Sequence, residues 1–420
     1  MKRLALIVLV LLAMGLCFAA AAAAEDIVVG VPTSLGFLEG KESINAVNLA
    51  VEEINAAGGV KVGGKAMNFK VVTIDVRDAA PGVPVPEALL GIEKMILEQK
   101  PQAMVVGPFR SEALQASLDL IAKHKVPLLA TIAMTPAIEA KIAEDPKYKY
   151  IFRTCLNAKY FVGYLVGTMA FLNQEFGFSK VYIMHQDVAW ARITAEIVSG
   201  ALKDKLKMEV LDVESFPTGA SDFSPALLKA KTKGAEVILP IFDMPQSGTL
   251  VKQWKSMKVP ALMAGFVSPA VGPASWAAFD KKIGGMINCV FEIGSIPPQK
   301  YEAAAKFYHA YEKKFGKPIE AGHGPAPSYA SIYLLKEAIE KAGGTDPDKI
   351  AEALAATDAA TVLGRVKFTE GHQAVYGNDP SKEALGAVFQ WKEDGSRVVV
   401  YPPALAEGKI ELPGWIKSKK

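Results

Sequence analysis

The chain has 420 residues, half of them hydrophobic, with 47 basic against 44 acidic side chains and a formal charge of +3. That near-neutral balance argues against a nucleic-acid or anionic-lipid partner. The length exceeds one ordinary core and suits two.

The first segment reads as an export signal. Lys2 and Arg3 precede an apolar run from Leu4 to Leu16, and Ala22-Ala23-Ala24 offers a small-residue cleavage site, so residues 1–24 are expected to be removed. The rival, a membrane anchor, is disfavoured because the apolar part is short for a bilayer and no basic stop follows. Lipid attachment at Cys17 is a minor alternative, since Leu16 stands where Gly or Ala normally precedes a lipidated cysteine. Loss of Lys2 and Arg3 lowers the charge to +1, and no comparable apolar run occurs later, so the mature chain reads as soluble and periplasmic.

From Asp26 strands and helices alternate. The strand "DIVVGV" precedes the helix "SINAVNLAVEEINAAGG", which sets Ile44, Val47, Ala50, Val51 and Ile54 on one face and stops at Gly58-Gly59. Then come strand "NFKVVTIDV", helix "EALLGIEKMILEQ", strand "AMVVG", helix "SEALQASLDLIAKH" and strand "VPLLAT". Connections too long for hairpins imply a parallel sheet covered on both faces. A second α/β run follows. "YIFRTC" leads to the helix "AKYFVGYLVGTMAFLNQEF", strand "KVYIMH", helix "ARITAEIVSGALKDKL" and strand "EVLDVESF". Helix "FSPALLKAKTKG", strand "EVILPIF", helix "PQSGTLVKQWKSM" and strand "ALMAGF" complete it.

The remainder supplies two long helices, "YEAAAKFYHAYEKKFG" and "APSYASIYLLKEAIEKAGG", and a third capped by Asp346 with Pro347 at its first position. "ALGAVFQWKEDGSRVVVYPP" reads as a hairpin turning at Asp394-Gly395. Returning the helices to the first lobe and the last strands to the second requires three crossings, near Arg153, Cys289 and Gly364. Lobe 1 is then 25–153 plus 290–364, and lobe 2 is 154–289 plus 365–420. The fold class is α/β, two lobes with parallel sheets joined by a three-segment hinge.

Enzyme signatures are lacking. There is no GxSxG, GxxxxGK[ST], HExxH or GxGxxG at a strand-to-helix junction, and no two of the five histidines are spaced to share a metal. No cofactor or metal is expected. Asp75 and Asp78 in "IDVRD" read as loop and capping groups. Cys155 and Cys289 lack partners at zinc spacing; apolar flanks favour buried thiols over a disulfide.

One junction asks for a ligand. "VVGPFRSEA" is a buried strand that breaks at Gly107-Pro108 and restarts as a helix at Ser111, placing Phe109 and Arg110 between them. A nucleotide loop would repeat glycines there. A helix N-terminus with an adjacent guanidinium suits a carboxylate. The alternatives are that Ser111 merely caps the helix and that Arg110 points to solvent.

The segments "EDIVVGVPTSLG", "INAVNLAVEEINAAGGVKVGGK", "VVGPFRSEALQA", "YIFRTC", "HQDVAWARITAEI" and "GAVFQWKEDGS", in this order, resemble the leucine/isoleucine/valine-binding proteins, type 1 periplasmic binding proteins of ABC importers. The resemblance implies two Rossmann-like lobes closing on a small solute, delivery to an ABC permease in the inner membrane, and a monomer. It puts Ser111 where the family binds the ligand carboxylate, with Phe109 and Arg110 beside it. It puts Trp190 on the first lobe 2 loop, in the loop before a helix, with internal packing of that Trp as the alternative. Phe242 and Asp243 fall on the second lobe 2 loop, and Phe37 and Glu39 on the first lobe 1 loop. Two departures stand out. The stretch where the family keeps an acid for the ligand ammonium reads "GFVSPAVG", with Phe266 near the position. The family's hydroxyl-bearing loop reads "TIAMTP", with Met134 where a Thr often sits; Thr131, Ala133 and Thr135 are its candidates. The expected ligand is a small carboxylate with an aliphatic or aromatic body. A branched-chain amino acid would need Asp243 or Glu39 for its ammonium; a receptor-coupled ligand sensor is a further alternative.

Overall fold

The computed structural model describes residues 26–420, so the expected leader lies outside the described residues. The first lobe is built from β1 (Ile27–Thr33), the short hairpin β2 (Val60–Val62) and β3 (Lys65–Met67), β4 (Phe69–Asp75), β5 (Ala103–Val106), β6 (Leu128–Ala130) and β7 (Ile151–Arg153). Helices α1 (Leu38–Ala56), α2 (Val85–Gln99), α3 (Ser111–His124) and α4 (Ala137–Glu144) are interleaved with them. Its main sheet runs β4-β1-β5-β6-β7, every pair parallel. β5 and β6 are buried along their whole length because helices cover both faces, and this is why they read as unbroken apolar runs.

The second lobe holds α5 (Ala158–Phe176), β8 (Lys180–Gln186), α6 (Ala189–Asp204), β9 (Glu209–Phe216), α7 (Ser224–Thr232), β10 (Val237–Phe242), α8 (Gly248–Ser256), β11 (Leu262–Val267), α9 (Ser275–Ala278) and β12 (Ile287–Val290). The chain then forms α10 (Glu302–Phe315), α11 (Pro325–Ala342), α12 (Pro347–Ala355), a hairpin of β13 (Asp358–Thr361) with β14 (Gly364–Lys367), and a last hairpin of β15 (Ala387–Trp391) with β16 (Arg397–Tyr401). The second sheet runs β16-β15-β12-β11-β10-β8-β9, parallel except where β15 pairs with β12 and β16. α10 and α11 pack on α1, so the long helices return to the first lobe while the last strands extend the second sheet. The hairpin turns at Gly395, whose φ of +90° suits glycine, with Ser396 donating its N–H to Asp394. Asp346 caps α12 by accepting from the Lys349 N–H at 3.0 Å.

Several boundaries differ from expectation. The β2–β3 hairpin and α4 carry no strong periodicity, so the sequence pattern does not reveal them. α1 starts five residues before Ser43, and α6 starts at Ala189, two residues before the expected Ala191. Neither has a side-chain cap: Phe37 and Val188 occupy the cap positions, so the usual Ser, Thr, Asp or Asn signal is missing. Gly364 pairs within the β13–β14 hairpin, and Gln373 bridges to Arg153.

The passages between lobes are held by buried polar groups. Arg153 is 1% exposed and donates to Gln373 Oε1 at 2.6 Å and to the carbonyls of Thr135 at 2.6 Å and Ala133 at 3.2 Å; Glu139 pairs with it. Burial pushes its guanidinium down to about 10. Glu292, just past β12, accepts from the N–H groups of Leu156 and Gly324, both at 3.4 Å, and burial pushes its carboxyl up to about 8. Cys155 and Cys289 are buried free thiols.

Candidate functional site

In an open parallel sheet the crevice forms where neighbouring strands send their connections to opposite faces. Here that point lies between β1 and β5 in one lobe and between β8 and β10 in the other. The carboxyl ends of those four strands carry Ser34 to Phe37, Phe109 with Arg110, Trp190, and Asp243.

The turn after β5 is strained and tightly held. Val106 takes φ +75° and Gly107 φ +74°. A β-branched residue in this region costs about 1–3 kcal/mol and persists only where neighbours over-determine it. Asp78 is one such neighbour: it accepts from the Arg110 N–H at 2.6 Å and from Ser34 Oγ at 2.8 Å, while Ser34 Oγ accepts from the Ala79 N–H at 2.9 Å. Burial raises the Asp78 carboxyl, and the Arg110 N–H opposes this. The three loops after β1, β4 and β5 are thereby tied to one carboxylate.

Arg110 does not face solvent. It is 8% exposed, its Cζ lies 5.0 Å from the Phe109 ring centre and 5.7 Å from that of Phe37, and its Nη1 donates to Asp243 Oδ2 of the other lobe at 2.8 Å. The same oxygen accepts from Trp190 Nε1 at 2.8 Å, and Gln186 Oε1 accepts the Asp243 N–H at 3.1 Å. Asp243 Oδ1 is buried with no hydrogen-bond partner among the described residues. Ser111 is the first residue of α3, and its hydroxyl accepts from the Thr135 N–H at 3.2 Å, joining the loop after β6 to the α3 N-terminus. It is not the cap of its helix, because Arg110 holds that position and gives no side-chain cap.

Trp190 sits in the first turn of α6, not in the loop before it, and is buried. Its ring centre lies 6.0 Å from Phe291, 6.1 Å from Phe266 and 6.5 Å from Phe161. Phe266 and Phe291 are 4.1 Å apart, and Phe37 lies 5.1 Å from Phe109. His323 closes the box, 5.0 Å from Phe291, 6.0 Å from Phe109 and 6.2 Å from Phe266. Burial pushes its imidazole down to about 4, opposed by Asp243 and helped by Arg110. Glu39 is on α1 rather than in the preceding loop, and pairs with Ser268 Oγ across the cleft. Burial pushes its carboxyl up to about 7. A cavity of about 430 Å³ lies over Arg110, lined by Asp78 and Glu112 on one side and Val188 and Thr218 on the other.

Three candidates lie elsewhere. Phe242 points into the second lobe, 5.6 Å from Phe223 and 5.9 Å from Phe216, because successive strand residues face opposite ways and Asp243 takes the cleft side. Thr131 spends its hydroxyl on Ser328 at 2.8 Å, and Ala133 gives its carbonyl to Arg153; both serve the interior beside the hinge. Phe161, Phe291, Ser268 and His323 were missed. Of these, only His323 had a local signal, a histidine between glycines just before a helix that opens with Pro325. Among the described residues no cluster of His, Cys, Asp and Glu could hold a metal, and no helix is long and apolar enough to cross a membrane.

Comparison with known proteins agrees with this two-lobed cleft. Residues 32–396 match the family model described as periplasmic binding protein. The chain is 26% identical over 387 residues to Leu/Ile/Val-binding protein homolog 7 of Brucella suis biovar 1, covering 90% of each chain. Its fold is similar to the substrate-binding protein of a branched-chain amino acid transporter of Streptococcus pneumoniae solved with isoleucine (TM-score 0.71, 21% identity, 90% of this chain and 100% of that one). It is also similar to a solute-binding protein of an ABC transporter of Rhodopseudomonas palustris HaA2 solved with p-hydroxybenzoic acid (TM-score 0.72, 19% identity, 89% and 95%). With most of its length matched, the chain belongs to the periplasmic binding protein family.

Proposed function

We propose that this protein is the periplasmic solute receptor of an ABC importer of the branched-chain amino acid type, and that it captures a small carboxylate with an apolar body by hinge closure and delivers it to the permease. It acts as a monomer and performs no catalytic step. The observation that carries the reading is Arg110: a buried guanidinium at a helix N-terminus, set against the Phe37 and Phe109 rings and held by Asp243 of the opposite lobe at 2.8 Å. Asp243 engages Nη1, which leaves the rest of the planar fork for a carboxylate. The Ser111 hydroxyl, which accepts from the Thr135 N–H, keeps its own hydrogen to donate to the carboxylate, and the aromatic box accepts the body of the ligand.

A second reading, a branched-chain amino acid, draws on Asp243 Oδ1, a buried acceptor without a partner among the described residues that suits an ammonium. Thermal-shift and calorimetric titration with aromatic acids, short branched fatty acids and branched-chain amino acids separates the two. A true ligand at a hundred times its Kd stabilises by about 2.7 kcal/mol, and its amide analogue does not. Binding by the amino acids alone selects the second reading; binding by none of the acids overturns both.

A further inference from the structure

Two buried polar atoms of the aromatic box have no hydrogen-bond partner among the described residues: His323 Nδ1 on the first lobe and Asp243 Oδ1 on the second. His323 is 3% exposed and Asp243 5%. Native proteins rarely leave such atoms unmatched, and where they do, a ligand, a water or local strain accounts for it. The imidazole is ringed by Phe109, Phe266 and Phe291, so no neighbouring side chain of the box competes for its nitrogen.

The backbone aims His323 at this place. Gly324, next in the chain and at the α11 N-terminus, has φ +99°, and a Cβ there would stand 2.6 Å from Ser43 Oγ. Only glycine fits so close to α1. Its N–H is accepted by Glu292. The histidine is therefore presented between the lobe-crossing segment and α1, facing the rings.

We infer that His323 is a specificity-determining residue, and that with Asp243 Oδ1 it reads a hydroxyl group on the body of the ligand, which makes the ligand a hydroxy-substituted aromatic carboxylate. This rests on the carboxylate reading above and deepens it. A hydroxyl has one hydrogen to donate and lone pairs to accept with, so it can donate to Asp243 Oδ1 while accepting from the His323 Nδ1–H. An ammonium suits the place less, because Arg110 already neutralises Asp243 and a second cation would share its carboxylate. Burial keeps the imidazole uncharged near neutral pH, so it recognises a hydroxyl without adding a charge to a cleft that already holds an ion pair. The tilted and edge-on rings of Trp190, Phe266 and Phe291 suit a flat aromatic body more than a branched aliphatic one.

The test is calorimetric titration of the full mature chain with benzoate and its ortho, meta and para hydroxy isomers. At least one isomer is expected to bind about tenfold or more tightly than benzoate, the scale of one buried hydrogen bond gained. In His323→Phe, which keeps a ring and removes the nitrogens, the ratio of isomer to benzoate affinity should fall to about threefold or less, whatever the change in benzoate affinity itself. His323→Gln, which restores a polar atom, should recover part of the preference; it also serves if the Phe variant fails to fold. Benzoate binding with no isomer preferred, or a preference that survives in both variants, overturns this inference and leaves the carboxylate reading standing. Binding by neither benzoate nor any isomer, with branched-chain amino acids bound, overturns both.

Discussion

Arg110 and Asp243 form an ion pair whose members sit on different lobes, both less than a tenth exposed. Removing one member of such a pair strands the other charge in a dry place, which is why truncation is costly. Arg110→Met keeps the stem against Phe109 and removes the charge. The fold is expected to survive because the Arg110 N–H still reaches Asp78, while carboxylate affinity falls by roughly 2–5 kcal/mol. The amide analogue should bind wild type weakly and lose little more in the variant. Titration of both ligands against both proteins measures this. Equal acid affinity in Arg110→Met would return the guanidinium to a purely structural role between the lobes.

At the scale of elements, what was legible in the sequence follows from burial. Parallel strands covered on both faces appear as short apolar runs, and β5, β6, β10 and β11 are such runs. The β5–α3 junction was legible because Gly107-Pro108 ends the apolar run and the helical spacing restarts at Ser111, which is where α3 begins. Strand parity was not: whether Phe242 or Asp243 faces the cleft depends on how β10 ends against its neighbours, and they differ by one residue. The box residues from separate segments, Phe161, Phe291 and His323, meet only through tertiary packing, so no local pattern marks them as partners. The crossing at Glu292 makes an element-scale prediction. Its carboxyl is raised from 4.5 to about 8 by burial, so the folded chain holds a proton there that the unfolded chain releases. Stability from this group is complete below about pH 4.5 and is lost as pH rises through about 8. Glu292→Gln mimics the neutral acid. Its melting temperature should match wild type near pH 5 and exceed it near pH 9, roughly one unit past the raised carboxyl. Glu39 and Glu42, both raised to about 7 by burial, act in the same direction, so some slope remains in the variant. Parallel wild-type and variant curves across this range would mean that Glu292 does not titrate as its burial requires.

For the whole molecule, the contacts across the cleft describe a closed form. Arg110 meets Asp243, Glu39 meets Ser268, and Glu112 accepts from the Ala189 N–H at 3.1 Å. All three join a helix start or strand end of one lobe to one of the other, so separating the lobes breaks them together. A ligand shifts such an equilibrium only through affinity that differs between the two forms. On the function proposed above, Arg110 and Ser111 on one lobe and Trp190 and Phe266 on the other would supply that difference, because an open cleft cannot bring both sets to one small molecule. Small-angle scattering should therefore show a smaller radius of gyration at ligand saturation than without ligand. Trp190 offers a local readout of the same event. In the closed form it is 5% exposed and bonded to Asp243, so ligand should protect part of the tryptophan fluorescence from acrylamide quenching. Trp190→Phe should lose that protection, and Trp254, fully buried within lobe 2, should not respond. An unchanged radius with unchanged quenching at saturation would mean that the lobes stay together throughout, and that the ligand enters over Arg110 without hinge motion.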